Sequence, residues 1–349
     1  MNGSAHRCGE VAPVLWYVHD HGSGHLARAR AVIPHLRHAT VVAAGPAVAD
    51  VARVDLDVPV VGLPGDVPAT PTPTVGPWHH APSGQAVRQR SLALVDAVAA
   101  HGCTVAVVDV SMEVTVLARL CGLRVVTVRQ SGCRSDAAHR IGLASADIVW
   151  VPQHPELEPM GEEVAAVDER WHFTGAFSRF DGCPHRAIEP DGTRLALIVV
   201  GAGGTSLDLG AWRTATAPPG WRVVIAGAPD QWCQRGITSV GRIDDLAPLL
   251  RTAHVVVTSA GWGTVADAAA TDARLVVVPE SRPFAEQEAR AGALASHQLA
   301  VVRPCWPEPA DLDDLATAVT RLPAGRWERY YDAHGAERAA AMIDNEVAC

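Results

Sequence analysis

The chain contains no lysine: all 29 of its basic residues are arginine. That excludes a lysine Schiff base and the phosphate-binding lysine of a P-loop. Any phosphate must be held by arginine, histidine or backbone N–H groups. Cysteine is sparse and scattered over positions 8, 103, 121, 133, 183, 233, 305 and 349. None forms a C-x-x-C pair or has zinc-ligand spacing, so reduced thiols in a cytoplasm are expected. Positive charge is also short. A formal net charge of −9 argues against a general nucleic-acid binder, which needs a basic face to neutralise phosphates. Long apolar runs are missing as well. "APVLWYV", ahead of His19 and Asp20, is too short for a signal-peptide core. No run approaches the roughly 18 apolar residues of a membrane span. The expectation is a cytoplasmic protein with at most peripheral membrane contact.

What is present is a repeating grammar of short apolar run, turn and helical segment. A length of 349 residues suits two domains. In the first half the strand candidates are 14–18, 40–44, 58–62, 104–109, 124–128 and 147–151, with helices over 25–37, 84–101, 112–121 and 137–145. Near-continuous Val/Ile/Leu strands alternating with helices predict a parallel sheet covered on both faces. The pattern restarts at "TRLALIVVGAGG" (193–204) and continues through strands at 221–227, 253–261, 273–280 and 299–303. Helices are expected over 244–252, 263–271, 284–296 and 311–321. The reading is therefore two doubly wound, Rossmann-like α/β units facing across a cleft: a first domain over 1–172, a Gly- and Pro-rich linker over 173–192 and a second domain over 193–322. The tail, 323–349, reads as a helix (325–346) that packs back on the first domain. Residues 62–83 carry six prolines and no usable period, which predicts a long loop, either a binding loop or a surface insertion.

"YVHDHGSGHLARAR" (17–30) crowds His19, His21 and His25 around a glycine-rich turn after the first strand. The spacing H-x-H-x-x-x-H could begin a metal site, but a glycine pair is a poor clamp and no further ligand is evident. Gly22, Gly24 and Ala27 fit G-x-G-x-x-A, a dinucleotide pattern. However, the next strand ends "AAG" where a ribose-binding acid belongs. The third reading is a reactive imidazole. His25 falls at the first turn of a helix at a strand's carboxyl end, where a neutral imidazole is a fair general base, while Gly22 and Gly24 leave room for a bulky substrate. Against this stands a histidine that merely caps or packs.

The second half holds "HVVVTSAGWGTVADAAAT" (254–271), a strand, glycine turn and helix. Backbone N–H groups from Gly261 through Gly263 to Thr264 would face an anion at a helix N-terminus. Ser259 and Thr264 can donate hydroxyl hydrogen bonds, and Asp267, one turn on, could accept from vicinal ribose hydroxyls. "VVGAGGTS" (199–206) repeats the design with Gly203, Gly204 and Thr205. Two such turns suit a diphosphate; tight helix–strand packing is the plainer alternative. In "FAEQEARA" (284–291), Glu286 and Gln287 could reach the cleft and bind sugar hydroxyls, or simply start a solvated helix.

"SAGWGTVADAAATDARLVVVPESRPFAEQEARA" resembles the donor-nucleotide segment of GT-B glycosyltransferases, the MurG-type and UDP-glycosyltransferase groups. Their pattern is roughly (H/S)-x-G-x-x-(S/T)-x-x-E, then P, then (D/E)-Q-x-x-N-A. "HGSGHLARA" is similar to their N-terminal G-x-G-H loop, "FTGAFSRF" to their interdomain segment and "GRIDDLAPLLRTAHVVVTSAG" to their base-binding stretch. The resemblance spans about residues 14–320. It implies His25 as catalytic base or as a cleft-facing catalytic group, Gly261 and Thr264 in the diphosphate turn and Asp267 as the ribose acid, one methylene shorter than the usual Glu. It further implies Glu286 and Gln287 as the sugar-binding pair, and Ile243 where relatives hold the base through backbone. Arg290 replaces the usual Asn.

The resulting expectation is an inverting transferase that takes a sugar from a UDP- or dTDP-linked donor to an acceptor hydroxyl, with no metal and no further cofactor. The acceptor is a small molecule, glycan or lipid. Asp55 and Asp57 spell D-x-D, the metal motif of another transferase fold, here ahead of a first-domain strand and read as chance. The rivals are a nucleotide-sugar hydrolase or epimerase on the same fold, a catalytically degenerate partner protein and, more remotely, a nicotinamide oxidoreductase.

Overall fold

The computed structural model describes residues 12–20, 24–65, 76–79, 85–158, 168–183 and 192–348. Gly22, His21 and much of the 62–83 loop lie outside the described residues. The first unit runs β1 (Val14–Val18), α1 (Gly24–Val32), β2 (Thr40–Ala44), α2 (Pro46–Asp55), β3 (Val60–Gly62), α3 (Gln85–His101), β4 (Val105–Val108), α4 (Met112–Leu120), β5 (Arg124–Val128), α5 (Ala137–Ser145), β6 (Ile148–Val151) and β7 (Trp171–Phe173). The second runs β8 (Arg194–Val199), α6 (Leu209–Thr214), β9 (Trp221–Ala226), β10 (Trp232–Gln234), β11 (Ile237–Gly241), α7 (Ala247–Thr252), β12 (Val255–Thr258), α8 (Trp262–Ala270), β13 (Leu275–Val277), α9 (Glu286–Ser296), β14 (Val301–Val302) and α10 (Leu312–Thr320). A last helix, α11 (Gly335–Ala348), follows.

The strands form two seven-stranded sheets, ordered β3-β2-β1-β4-β5-β6-β7 and β10-β11-β9-β8-β12-β13-β14. Every pairing in the first sheet is parallel. In the second, only the edge pair β10–β11 is antiparallel. Buried on both faces, β1, β2, β4, β6 and β12 have no exposed position, which is why they read as unbroken apolar runs. The order also fixes where a ligand can bind. In the first sheet β1 has β2 on one side and β4 on the other; in the second, β8 has β9 on one side and β12 on the other. These are the switch points at which open α/β sheets leave a crevice beyond their carboxyl ends.

The tail differs from the expected single helix. Trp327 is buried in the second domain's core with Tyr330 and Tyr331 packed against it. Only α11 returns to the first domain, burying Ala336, Ala339, Ala340, Met342 and Ile343 against its core. Gly335 makes that return possible, since a Cβ there would stand 2.6 Å from the carbonyl oxygens of Gly175 and Ala176. The chain thus crosses between units at 174–180 and again near 331–335. Among the described residues no helix is long and apolar enough to cross a membrane.

Candidate active site

His25 stands in the first turn of α1, 7% exposed, just after the switch-point strand β1. Its Nδ1 lies 2.9 Å from Oδ1 of Asp109, which immediately follows β4, the strand beside β1. The carboxylate can only accept, so this contact is made by the tautomer with its proton on Nδ1 and its lone pair on Nε2; Arg28 Nη2 also approaches Nδ1, at 2.9 Å. Arg28, one turn on, clamps the same carboxylate through Nε to Oδ2 and Nη2 to Oδ1, both at 2.8 Å. Asp109 is fully buried. Burial alone would raise its pKa, but Arg28 and His25 hold it well below the usual carboxylate range. The His19 ring lies 5.5 Å from that of His25, centroid to centroid. Asp55, of the D-x-D triplet, pairs with Arg30.

The second domain meets this group directly. Trp262, the first residue of α8, places its ring over the Arg28 guanidinium (5.3 Å), stacks edge-on against Phe177 (5.0 Å) and donates Nε1–H to the Pro152 carbonyl at 2.9 Å. The N-cap of α8 is Gly261, which supplies no side-chain acceptor, so no side-chain cap is made to the first-turn amides, the groups that bind anions at helix N-termini. A Cβ on Gly261 would stand 3.9 Å from the Ser259 hydroxyl and 4.0 Å from that of Thr264, and a Cβ on Gly201 3.7 Å from the Ser259 hydroxyl. The Ser259 hydroxyl therefore lies next to both glycine turns. Gly203 and Gly204 are exposed in the other turn, whereas Thr205 donates its hydroxyl to Glu280 at 2.9 Å and the Ser206 amide donates to the same oxygen at 2.8 Å. Arg282 arches over this turn and donates to the Gly204 carbonyl at 2.8 Å, which sequence reasoning did not find.

The other expected site residues are placed less openly. Asp267 is 8% exposed and accepts from the Ser178 hydroxyl at 2.6 Å and from Arg179 Nε at 3.2 Å, both from the first crossover. Burial pushes its carboxyl pKa up, against the pull of Ser178 and Arg179. Asp181 accepts from the Ser178 amide at 2.8 Å and from the Tyr331 hydroxyl of the second crossover. Gln287 is buried, and its Oε1 accepts from the amides of Ala260 (3.2 Å) and Glu280 (2.9 Å), so it ties two loops together. Glu286 is half-buried and accepts from Arg134 of the first domain at 3.4 Å. Ile243 is half-buried against the second domain's core. Among the described residues nothing lies within 4 Å of a Cβ built on Gly24. Arg290 donates to the Ala260 carbonyl at 2.7 Å and to the Ser131 hydroxyl at 3.3 Å, a bridge between domains.

A glycine governs that bridge. Gly132 has φ +106°, and a Cβ on it would stand 2.3 Å from the Phe284 carbonyl oxygen, which accepts from the Cys133 amide at 2.7 Å. Gly132→Ala is expected to cost about 1–3 kcal/mol through strain and lost approach, read as a lower midpoint in thermal melting. An unchanged midpoint would show that the two loops do not need this contact.

Two parallel-sheet units facing each other across their switch points define the GT-B fold. A glycosyltransferase solved for kitacinnamycin superposes with TM-score 0.70 at 16% identity, covering 96% of this chain and 98% of that one. MurG of Acinetobacter baumannii gives 0.65 at 16% identity, covering 96% and 99%. The spinosyn rhamnosyltransferase SpnG complexed with thymidine diphosphate gives 0.59 at 18%, covering 97% and 96%. A comparison with curated proteins found no match. Residues 228–323, which contain the α8 turn and the start of α9, match the glycosyltransferase family 28 C-terminal domain. The chain has the GT-B fold, and this part of its second domain resembles that family's C-terminal domain.

Proposed function

We propose that the protein transfers a sugar, with inversion, from a UDP- or dTDP-linked donor to a hydroxyl of an acceptor bound by the first domain near His25 and the 62–83 segment. The observation that carries this reading is the apposition at the two switch points: an imidazole–carboxylate pair on one side and an uncapped helix N-terminus on the other, in contact through Trp262 and Arg28. His25 Nε2 takes the acceptor proton as the hydroxyl oxygen bonds to the anomeric carbon. The bond from that carbon to the diphosphate oxygen breaks, and the electron pair leaves with the diphosphate. The amides of Gly261 to Thr264, the hydroxyls of Ser259 and Thr264, and Gly203 and Gly204 receive the charge. Departure of the diphosphate then needs no divalent cation. The likeness to a rhamnosyltransferase that binds thymidine diphosphate supports keeping dTDP beside UDP. Asp267 binds the ribose hydroxyls after releasing Ser178 and Arg179, and Glu286 with Gln287 lines the sugar subsite.

A thermal-shift screen of UDP, dTDP, GDP and CDP tests this. UDP or dTDP should raise the melting temperature, and Asp267→Ala should weaken that nucleotide roughly tenfold or more, as expected for loss of hydrogen bonds to a charged group. Stabilisation by NAD and by none of the four would sink the reading. Measuring free sugar beside glycosylated acceptor separates transfer from hydrolysis.

A further inference from the structure

His79, Asp136 and His139 converge on the first domain's side of the cleft; His79 belongs to the 62–83 segment, but the bond-making and bond-breaking steps of sugar transfer use none of the three. We propose that these three residues form a binding site for one divalent transition-metal ion. His79 Nε2 lies 2.8 Å from Asp136 Oδ1, and His139 Nδ1 lies 2.5 Å from Asp136 Oδ2. The three ligand atoms are all within 4.8 Å of one another, the one such group among the described residues. They come from separate places in the chain: His79 from the segment ahead of α3, Asp136 from the N-cap of α5 and His139 from that helix's first turn.

Two imidazoles and one carboxylate suit zinc, manganese or ferrous iron rather than magnesium or calcium, which prefer all-oxygen shells. Three protein ligands also leave coordination positions for water or an incoming oxygen, the arrangement of reactive rather than purely structural sites. Metal–ligand bonds of about 2.1 Å put neighbouring ligand atoms roughly 3.4 Å apart in a tetrahedron, so the two short contacts to Asp136 must open and the widest separation in the group must close. His79 can supply that movement, being about one-third exposed, whereas the His139 side chain is 3% exposed.

The surroundings state the cost of binding. The two short contacts to Asp136 are each bridged by a ring proton, and a metal replaces both. Each neutral ring must then carry its proton on the other nitrogen. For His139 that nitrogen is Nε2, which faces Arg134 Nη1 at 3.2 Å. Arg134 must turn away, and it has other acceptors at hand in the Gln130 carbonyl, Gln130 Oε1 and Glu286. Phe284 of the second domain roofs the site, 5.5 Å from the His79 ring and 4.8 Å from that of His139, centroid to centroid. Glu113, in the first turn of α4, accepts from the His79 amide at 2.6 Å and adds negative charge that favours a cation.

This inference does not rest on the transferase reading, because binding requires neither donor nor acceptor. The full chain, treated with a chelator and dialysed, is titrated calorimetrically with zinc chloride and separately with cobalt chloride, whose visible absorption reports nitrogen and oxygen ligation. One ion per chain is expected. His79→Ala should weaken binding by roughly a hundredfold, and Asp136→Asn, which keeps the helix cap, should weaken it at least tenfold. His334→Ala, which alters an exposed histidine paired with Glu337, serves as the control and should bind as the unaltered chain does. No binding, or binding undiminished in folded His79→Ala as judged by circular dichroism, overturns the site and leaves a hydrogen-bonded cluster. Either result leaves nucleotide stabilisation, measured separately, to decide the transferase reading.

Discussion

His25→Ala is expected to lower turnover by roughly 10²–10⁴-fold while leaving nucleotide stabilisation unchanged. In the proposed mechanism the imidazole supplies a proton acceptor that alanine cannot replace, and His25 belongs to the domain opposite the turns proposed to hold the diphosphate. Its Nδ1 is committed to Asp109, so the loss falls on chemistry at Nε2 rather than on binding. Single-turnover rates with the stabilising nucleotide's sugar, beside the melting shift, measure the two effects separately. If His25→Ala lost nucleotide binding yet kept turnover, the roles of the two domains in the mechanism would be reversed.

Asp109 is expected to show the largest stability effect in the molecule. Asp109→Ala leaves the Arg28 guanidinium, 2% exposed, without its carboxylate. Removing one partner of a buried pair typically costs about 3–5 kcal/mol, a large fraction of the total stability of a domain. Urea unfolding should show the midpoint falling accordingly. Asp109→Asn keeps the shape but offers an amide where the His25 N–H needs an acceptor, so turnover should fall about as far as in His25→Ala, with a smaller loss of stability. The sign of the pH dependence follows from the depressed carboxyl. Its stabilisation is complete above the ordinary aspartate value of about 3.9 and is lost as pH falls toward the folded value. Acid should therefore destabilise the unaltered chain more steeply than Asp109→Asn. Equal acid sensitivity, or an Asp109→Ala midpoint within error of the unaltered chain, would contradict the clamp.

The buried strands were the easiest elements to read, because a strand covered on both faces must be apolar throughout. The β10–β11 hairpin was not legible, because Trp232–Gln234 is a short, largely exposed edge with no run to detect. The tail's sequence predicts one helix from 325, but Trp327 and Tyr331 are drawn to the second domain's core, and the helix begins only at Gly335. In the site, the histidine loop and the α8 turn were visible because each is a local pattern. Asp109 was not, because its partners lie 84 and 81 residues away and only sheet order brings β4 beside β1. The clue available was a carboxylate closing an otherwise apolar strand. Asp136 and His139 escaped for the same reason: His79 is separated from Asp136 by 57 residues, and no spacing rule links them. Gln287 shows the converse case, a motif residue whose amide serves the backbone of Ala260 and Glu280.

Asp267 sits where the two crossings of the chain are tied together, through Ser178 and Arg179 on one and, by way of Asp181, Tyr331 on the other. A sugar nucleotide that claims this carboxylate competes with the protein's own tether. Its apparent affinity is the intrinsic affinity reduced by the work of unlatching, and once it is seated the two halves lose one of the fastenings that fixed their mutual angle.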